Sequence, residues 1–237
     1  MLKRTIFLLI GLSSGLAPLA AHAAAMDAEF AVRWDPKQGG PATPHDALRE
    51  LRLKIGKPQH FEVQYFDFTP PADAPAGFDP ILRKRIKDGE AELTFKLRGD
   101  APLPAHPTLK QWACPLGATK DRKDEVDITL LGAGQALTAH SRSCGVESRD
   151  LALQPPAALQ ARSKGCGSTM TRLTSGKLKV EQWQLADGTV LIEASRPGKH
   201  TTASQQAFER EVLKPLLALK VQPLQRSKSA IGGECAR

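Results

Sequence analysis

The sequence predicts an α+β domain built mostly on antiparallel strands, and three observations carry that expectation. Two stretches read as hairpins: residues 81–98 around Asp88-Gly89, and residues 177–195 around Ala186-Asp187-Gly188. Asp-Gly is a dipeptide that tight hairpins favour. Other stretches alternate polar and apolar residues with the period of two that marks a half-buried strand. One segment near the C-terminus, Ser204 to Leu219, instead sets Phe208, Val212, Leu216 and Leu219 on a helical stripe, with Ser204 as the expected cap and Pro215 as the expected kink or stop.

Residues 1–25 read as an export signal and not as part of the fold. Lys3 and Arg4 give a charged start, Thr5 to Ala20 is apolar and small, and Ala21-His22-Ala23 fits the small-x-small cleavage pattern. Gly11, Ser13, Ser14, Gly15 and Pro18 make the apolar run a poor permanent anchor. Cleavage leaves residues 26–237 as the expected single domain, in the periplasm or secreted, with no later segment apolar enough to span a bilayer. Lys3 and Arg4 hold two of the +8 formal charges, so the mature chain carries +6. That excess is spread along the chain without a run of like charges, so nucleic acid is not an expected partner and local anion capture accounts for the charge.

Cys114, Cys144, Cys166 and Cys235 form no CxxC pair, which argues against zinc or thioredoxin-like chemistry. In an oxidising compartment an even count favours two disulfides. Three pairings exist, and the preferred one is Cys114–Cys144 with Cys166–Cys235, the second tying down the tail.

Along the mature chain, Glu29 to Trp34 is an expected strand, and Thr43 or Asp46 is placed to cap a short helix through Lys54. His60 to Phe68 alternates as a strand rich in aromatic residues. Residues 69–80 and 99–110 are Pro-rich and expected to be loops, with the first hairpin between them. Glu125 to Leu131 is a half-polar strand, residues 132–150 are weak, and Val146 to Leu153 is a short strand candidate. Pro155 to Arg162 is a short helix candidate, Ser163 to Ser168 a Gly-rich turn, and Lys177 to Leu185 and Thr189 to Ser195 are two strands. About eight strands result. Many are polar on one side, and a barrel lets those polar faces point inward around a wet, charged bore.

The order of short motifs resembles the CYTH superfamily, the triphosphate tunnel metalloenzymes. Tyr65-Phe66-Asp67 before a Pro-rich loop is similar to that family's Tyr-x-Asp-Thr, with Phe68 in place of Thr. Leu82-Arg83-Lys84-Arg85, a Gly turn, and Leu93-Thr94-Phe95-Lys96 are similar to its Leu-Arg-x-Arg and Leu-Thr-x-Lys hairpin. The resemblance implies a CYTH-like tunnel barrel with a helix near the C-terminus, and tunnel-lining acids at Glu125, Asp127, Glu181 and Glu193. It departs at the opening Glu-x-Glu-x-Lys, which here is Glu29-Phe30-Ala31-Val32-Arg33. Ala31 removes one carboxylate from the set that would hold a divalent metal, and with it a unit of compensating charge.

Arg83 and Arg85 share one strand face, as do Lys96 and Arg98. With Arg33 they are the candidate anion-binding residues, arginine offering a bidentate fork and lysine a point charge. Glu29, Glu125, Asp127, Glu181 and Glu193 are candidate ligands for Mg or Mn, or internal counter-charges for those cations; the pairing role is preferred, because a bore full of cations needs neutralising whether or not it does chemistry. No nucleophile elbow or phosphate loop is present, and the six histidines lack metal-ligand spacing. Trp34, Trp112 and Trp183 are expected in the core. The preferred function is binding of a phosphorylated or polyanionic ligand without catalysis. The alternatives are a metal-dependent triphosphate or polyphosphate hydrolase, and a structural or interaction protein of the periplasm whose tunnel is filled by its own salt bridges.

Overall fold

Asp88 and Gly89 sit at φ 51° and 79°, the paired positive angles of a type I′ turn. They join β3 (Phe78–Lys87) to β4 (Glu90–Gly99), which pair in unbroken register from Phe78↔Gly99 to Lys87↔Glu90. The expected hairpin is therefore longer than residues 81–98. It starts inside the Pro-rich segment, where Pro80 lies opposite Leu97.

The structure, a computed structural model, describes residues 25–70, 76–103, 113–117 and 122–225. Nearly all of the expected export signal, together with Trp112 and Cys235, lies outside the described residues. The other strands are β1 (Asp27–Trp34), β2 (Gln59–Asp67), β5 (Lys123–Gly132), β6 (Gln135–Ser148), β7 (Arg162–Ser175), β8 (Leu178–Gln184) and β9 (Val190–Lys199). They close into a barrel in the order β1-β5-β6-β4-β3-β2-β7-β8-β9, with β1 pairing β9 to complete the ring. All neighbours are antiparallel except β1 and β5. The tunnel barrel is thus present, with nine strands among the described residues instead of about eight.

The ninth is β7. Its Gly165, at φ 73°, lies where the register with β2 shifts between Gln64 and Phe66, so the expected Gly-rich turn is a bulge within a long strand. The weak region 132–150 is likewise corrected. β6 is a continuous strand bonded on one side to β4 and on the other to β5, and this pairing overrides the low strand propensity of its small polar residues. The short helix expected at Pro155 to Arg162 is a single 3₁₀ turn, Ala157–Leu159.

Helix α1 (Pro44–Glu50) is capped by Thr43, whose Oγ1 accepts from the Asp46 N–H at 3.1 Å. It stops before Lys54 because Arg52 turns to φ 57°. The C-terminal helix comprises α2 (Thr202–Phe208), a π-helical turn Glu209–Leu213, and α3 (Lys214–Ala218). Its cap is Thr201, not Ser204: Thr201 Oγ1 accepts the Ser204 N–H at 3.2 Å. Pro215, which has no N–H to donate, is the second residue of the segment just after the π turn, so the expected kink takes the form of a widened turn.

Three apolar clusters hold these parts. The outward faces of β1, β5, β8 and β9 pack under the C-terminal helix and α1 through Phe30, Val32, Trp34, Val126, Ile128, Phe208 and Leu216. A second cluster, with Phe95, Leu97, Leu103 and Leu116, lies outside β3 and β4, and there Cys114 and Cys144 form the expected disulfide. Cys166 is disulfide-bonded as well. The third cluster, Phe61, Val63, Tyr65, Met170, Trp183 and Leu191, fills part of the bore itself. No helix among the described residues is long and apolar enough to cross a membrane.

A Cβ at Gly89 would meet no neighbour within 4 Å, so backbone conformation alone constrains the position. Gly89→Ala should lower stability by about 1–2 kcal/mol in denaturant titration without changing the secondary structure seen by circular dichroism.

Candidate functional site: the charged bore

Strand alternation sets which side chains enter the bore. On β1, Ala28, Phe30, Val32 and Trp34 face the outer core, so Glu29, Ala31 and Arg33 point inward. The registers carry this inward face around the ring: Glu29 lies beside Asp127, Arg33 beside Glu193, Glu193 beside Glu181, and Glu181 beside Arg172. On the opposite wall Arg85 lies beside Val63 and Glu92, and Arg83 beside Tyr65 and Thr94. All ten candidate residues fall on this inward face.

The face divides into layers. A cavity of about 560 Å³ is lined by Arg83, Arg85, Lys96, Arg122, Lys123, Arg172 and Lys179, and by Glu29, Glu92, Glu125, Glu147 and Glu181. Arg33 does not line it. The Arg33 Nε donates to Glu193 and an Nη to Thr129 Oγ1 at 2.8 Å, and both charged residues are buried. Arg98 also lies elsewhere, on a second cavity of about 390 Å³ shared with Asp79, Asp100 and Thr129, with its Nε 3.5 Å from Asp127.

Most of the remaining charges are matched in pairs. Lys96 Nζ lies 2.9 Å from Asp127, Lys123 2.6 Å from Glu125, and Lys179 3.8 Å from Glu29. Arg172 forks onto Glu181 Oε1 at 2.8 and 2.6 Å, while the Trp183 indole N–H donates to the other oxygen at 3.1 Å. Glu181 and Glu193 are therefore engaged as counter-charges. Two cations differ. Arg83 reaches only Thr94 Oγ1, at 3.3 Å, and neither it nor Arg85 makes an ion pair with the described residues. The Nε atoms of both are shielded from solvent and have no hydrogen-bond partner among the described residues. Burial, followed by the Arg83 charge, lowers the Arg85 pKa to about 10, against an opposing pull from Glu181 and Glu92. The Tyr65 hydroxyl, on the same inner face, is also buried without a partner among the described residues.

Glu29, Glu125 and Asp127 bring carboxylate oxygens within 4.8 Å of one another. Oxygen donors of this type suit Mg or Mn. The charge does not fit: each of the three carboxylates already faces a lysine ammonium, and a divalent ion would have to displace all three. As the residues stand, the cluster is a set of salt bridges and not an open metal site.

Sequence reasoning missed Arg172, Lys179, Lys123 and Glu92. Lys179 was legible as an inward member of an expected strand, two residues from Glu181. Arg172 was hidden because β7 read as a turn followed by unassigned chain.

No sequence family matches the chain, and no characterised protein is close enough in sequence to count as a relative. Similar solved structures include a supposed adenylyl cyclase of Hippeastrum with a dominant triphosphatase activity, at 12% identity and a TM-score of 0.49 over 87% of this chain and 96% of that one. A supposed adenylate cyclase of Vibrio parahaemolyticus aligns at 10% identity and a TM-score of 0.46 over 90% of this chain and all of that one. A Pyrococcus horikoshii protein aligns at 11% identity and a TM-score of 0.45, over 85% and 98% of the two chains.

Glu193→Ala should cost about 3–5 kcal/mol in denaturant titration, because it strands the buried Arg33 guanidinium, and Arg33→Met added to it should recover part of that loss. Arg85→Met should act in the opposite direction. A basic group whose pKa falls on folding opposes folding while it is charged, so its removal should raise stability by on the order of 2 kcal/mol at neutral pH.

Proposed function

We propose that the cationic interior of this barrel binds a phosphorylated or polyanionic ligand without turning it over. One observation carries the reading: Arg83 and Arg85 sit side by side on the wall of a half-open cavity, each with a solvent-shielded Nε and, among the described residues, no carboxylate partner. Two adjacent half-buried guanidinium groups repel each other, and an oxyanion supplies both an opposing charge and acceptors for their shielded Nε–H groups. Turnover is less well supported, since Asp127, Glu125 and Glu29 face lysines and Glu181 is held by Arg172.

We also propose that the protein works outside the cytoplasm, in the periplasm or as a secreted protein. The Cys114–Cys144 disulfide and the bonded Cys166 suit an oxidising compartment. The second functional reading, a metal-dependent triphosphate hydrolase, is favoured by the close approach of Glu29, Glu125 and Asp127. It requires those acids to exchange lysines for a metal ion.

Calorimetric titration of the disulfide-intact protein with tripolyphosphate, with phosphate release assayed in the same samples, separates these readings. Binding that weakens steeply as salt rises, without phosphate release, is the expected result. Release dependent on magnesium or manganese would make the protein a hydrolase. Absence of both heat and release would leave a barrel filled by its own salt bridges.

A further inference from the structure

We infer that residues 226–237 close one mouth of the barrel, with a disulfide between Cys235 and Cys166 as the latch. The closure does not depend on the anion-binding function proposed above.

The bore has two ends. The cavity of Arg83 and Arg85 lies at one of them, where β1 begins at Asp27 and β4 at Glu90. Strands β1, β4 and β5 finish at the other, at Trp34, Gly99 and Gly132, and the cavity of about 390 Å³ lies there. The described chain runs over this second mouth as it ends. Leu224 donates its backbone N–H to the Arg33 carbonyl at 2.8 Å and packs against the apolar cluster inside the bore. Gln225 then joins Asp79, Ile81, Arg98 and Thr129 in lining the cavity.

Cys166 marks where the chain must return. On β7, Met170 and Ser168 are buried opposite Phe61 and Val63 on the inward face. Alternation carries Cys166 onto the same face, nearer the second mouth, where β7 begins at Arg162. Its sulfur is in a disulfide, and Cys114 and Cys144 are bonded to each other. The chain has four cysteines, so Cys235 is the partner left.

Reach and charge both suit this path. Ten residues take the chain from Gln225 to Cys235, enough to span about 33 Å when extended. Asp79 and Ile81, beside Gln225, belong to β3, and β2 alone lies between β3 and β7. Two strand spacings are about 10 Å, so the surplus length lets the segment cross the opening. Arg226 and Lys228 bring positive charge to a cavity that Asp79 and Asp100 line.

Closing the latch joins two sulfurs as each thiol gives up a proton and an electron. A disulfide oxidant takes the two electrons and leaves as two thiols. The closed bore then has a single entrance, at the mouth whose cavity Arg83, Arg85 and Lys123 line.

The test compares the full oxidised chain with a Cys166→Ser/Cys235→Ser variant. Proteolysis of the parent without reduction, followed by mass spectrometry, should yield the Cys166 peptide joined to the Cys235 peptide of the same chain. Hydroxyl-radical footprinting reads the mouth itself. Ile81 and Trp183 should be oxidised several-fold faster in the variant, while the exposed Leu53 beyond α1 stays unchanged. A Cys166 peptide joined to any other cysteine, or a covalent dimer on a non-reducing gel, would overturn the latch. The expected cross-link with an unchanged footprint would put the segment along the outer wall and overturn the closure. If the serine pair does not fold, a Cys166→Ala/Cys235→Ala pair supplies the footprint, and the cross-link map of the parent decides the latch by itself.

Discussion

Ala28 to Ala31 of β1 lie in parallel register with Val126 to Thr129 of β5, and with the β1–β9 pairing this contact turns an otherwise antiparallel sheet into a ring. Closure removes both sheet edges and gives the sheet an inside. Once an inside exists, alternation obliges every second residue of each strand to enter it. Glu29, Arg33, Arg83, Arg85, Lys96, Arg98, Asp127, Arg172, Glu181 and Glu193 are all such residues. The rest of the structure answers the resulting problem of burying charge.

That answer is layered. Arg33 is held by Glu193 and Thr129 where the bore is closed to solvent. Asp127 is shared between Lys96 and Arg98 and stands between the two cavities that those cations line. Arg172 and Glu181 are braced by the Trp183 indole, and the Arg172 guanidinium also lies 4.7 Å above the Phe61 ring centre, where the apolar cluster meets the charged wall. Ala31, flanked by Ser195 and Thr129, adds no carboxylate to this arrangement. Arg83 and Arg85 are the departure from it, and two adjacent guanidiniums that no carboxylate among the described residues matches oppose folding at that point. Strain of this kind gathers at sites that bind.

The outer surface solves a different problem. The second apolar cluster lies where the chain leaves β4 and before it returns in β5, and the Cys114–Cys144 bond ties that excursion to the middle of β6. Ser143 and Gly145, on either side of Cys144, line the larger cavity, so the disulfide fixes one wall of the bore from outside. A cross-link between residues 30 apart in sequence restricts the unfolded chain as well as this wall.

Local chemistry alone determined the hairpin of β3 and β4, the period-two strands and the same-face pairs Arg83/Arg85 and Lys96/Arg98, because a type I′ turn and an alternating strand are set by a few neighbouring residues. The amphipathic C-terminal helix was legible for the same reason. Tertiary structure decided β6 and β7. Gln135–Ser148 carries small polar residues that no local rule marks as a strand, and it becomes one because β4 and β5 hydrogen-bond to it from both sides. The Gly165 bulge that disguised β7 as a turn, and so concealed Arg172, makes sense only against the register of β2. The sorting of charges was likewise a matter of assembly. Arg33 and Arg85 look alike in sequence, yet barrel closure places Glu193 against the first and gives the second no ion pair among the described residues, and only the arrangement of distant strands could make that distinction.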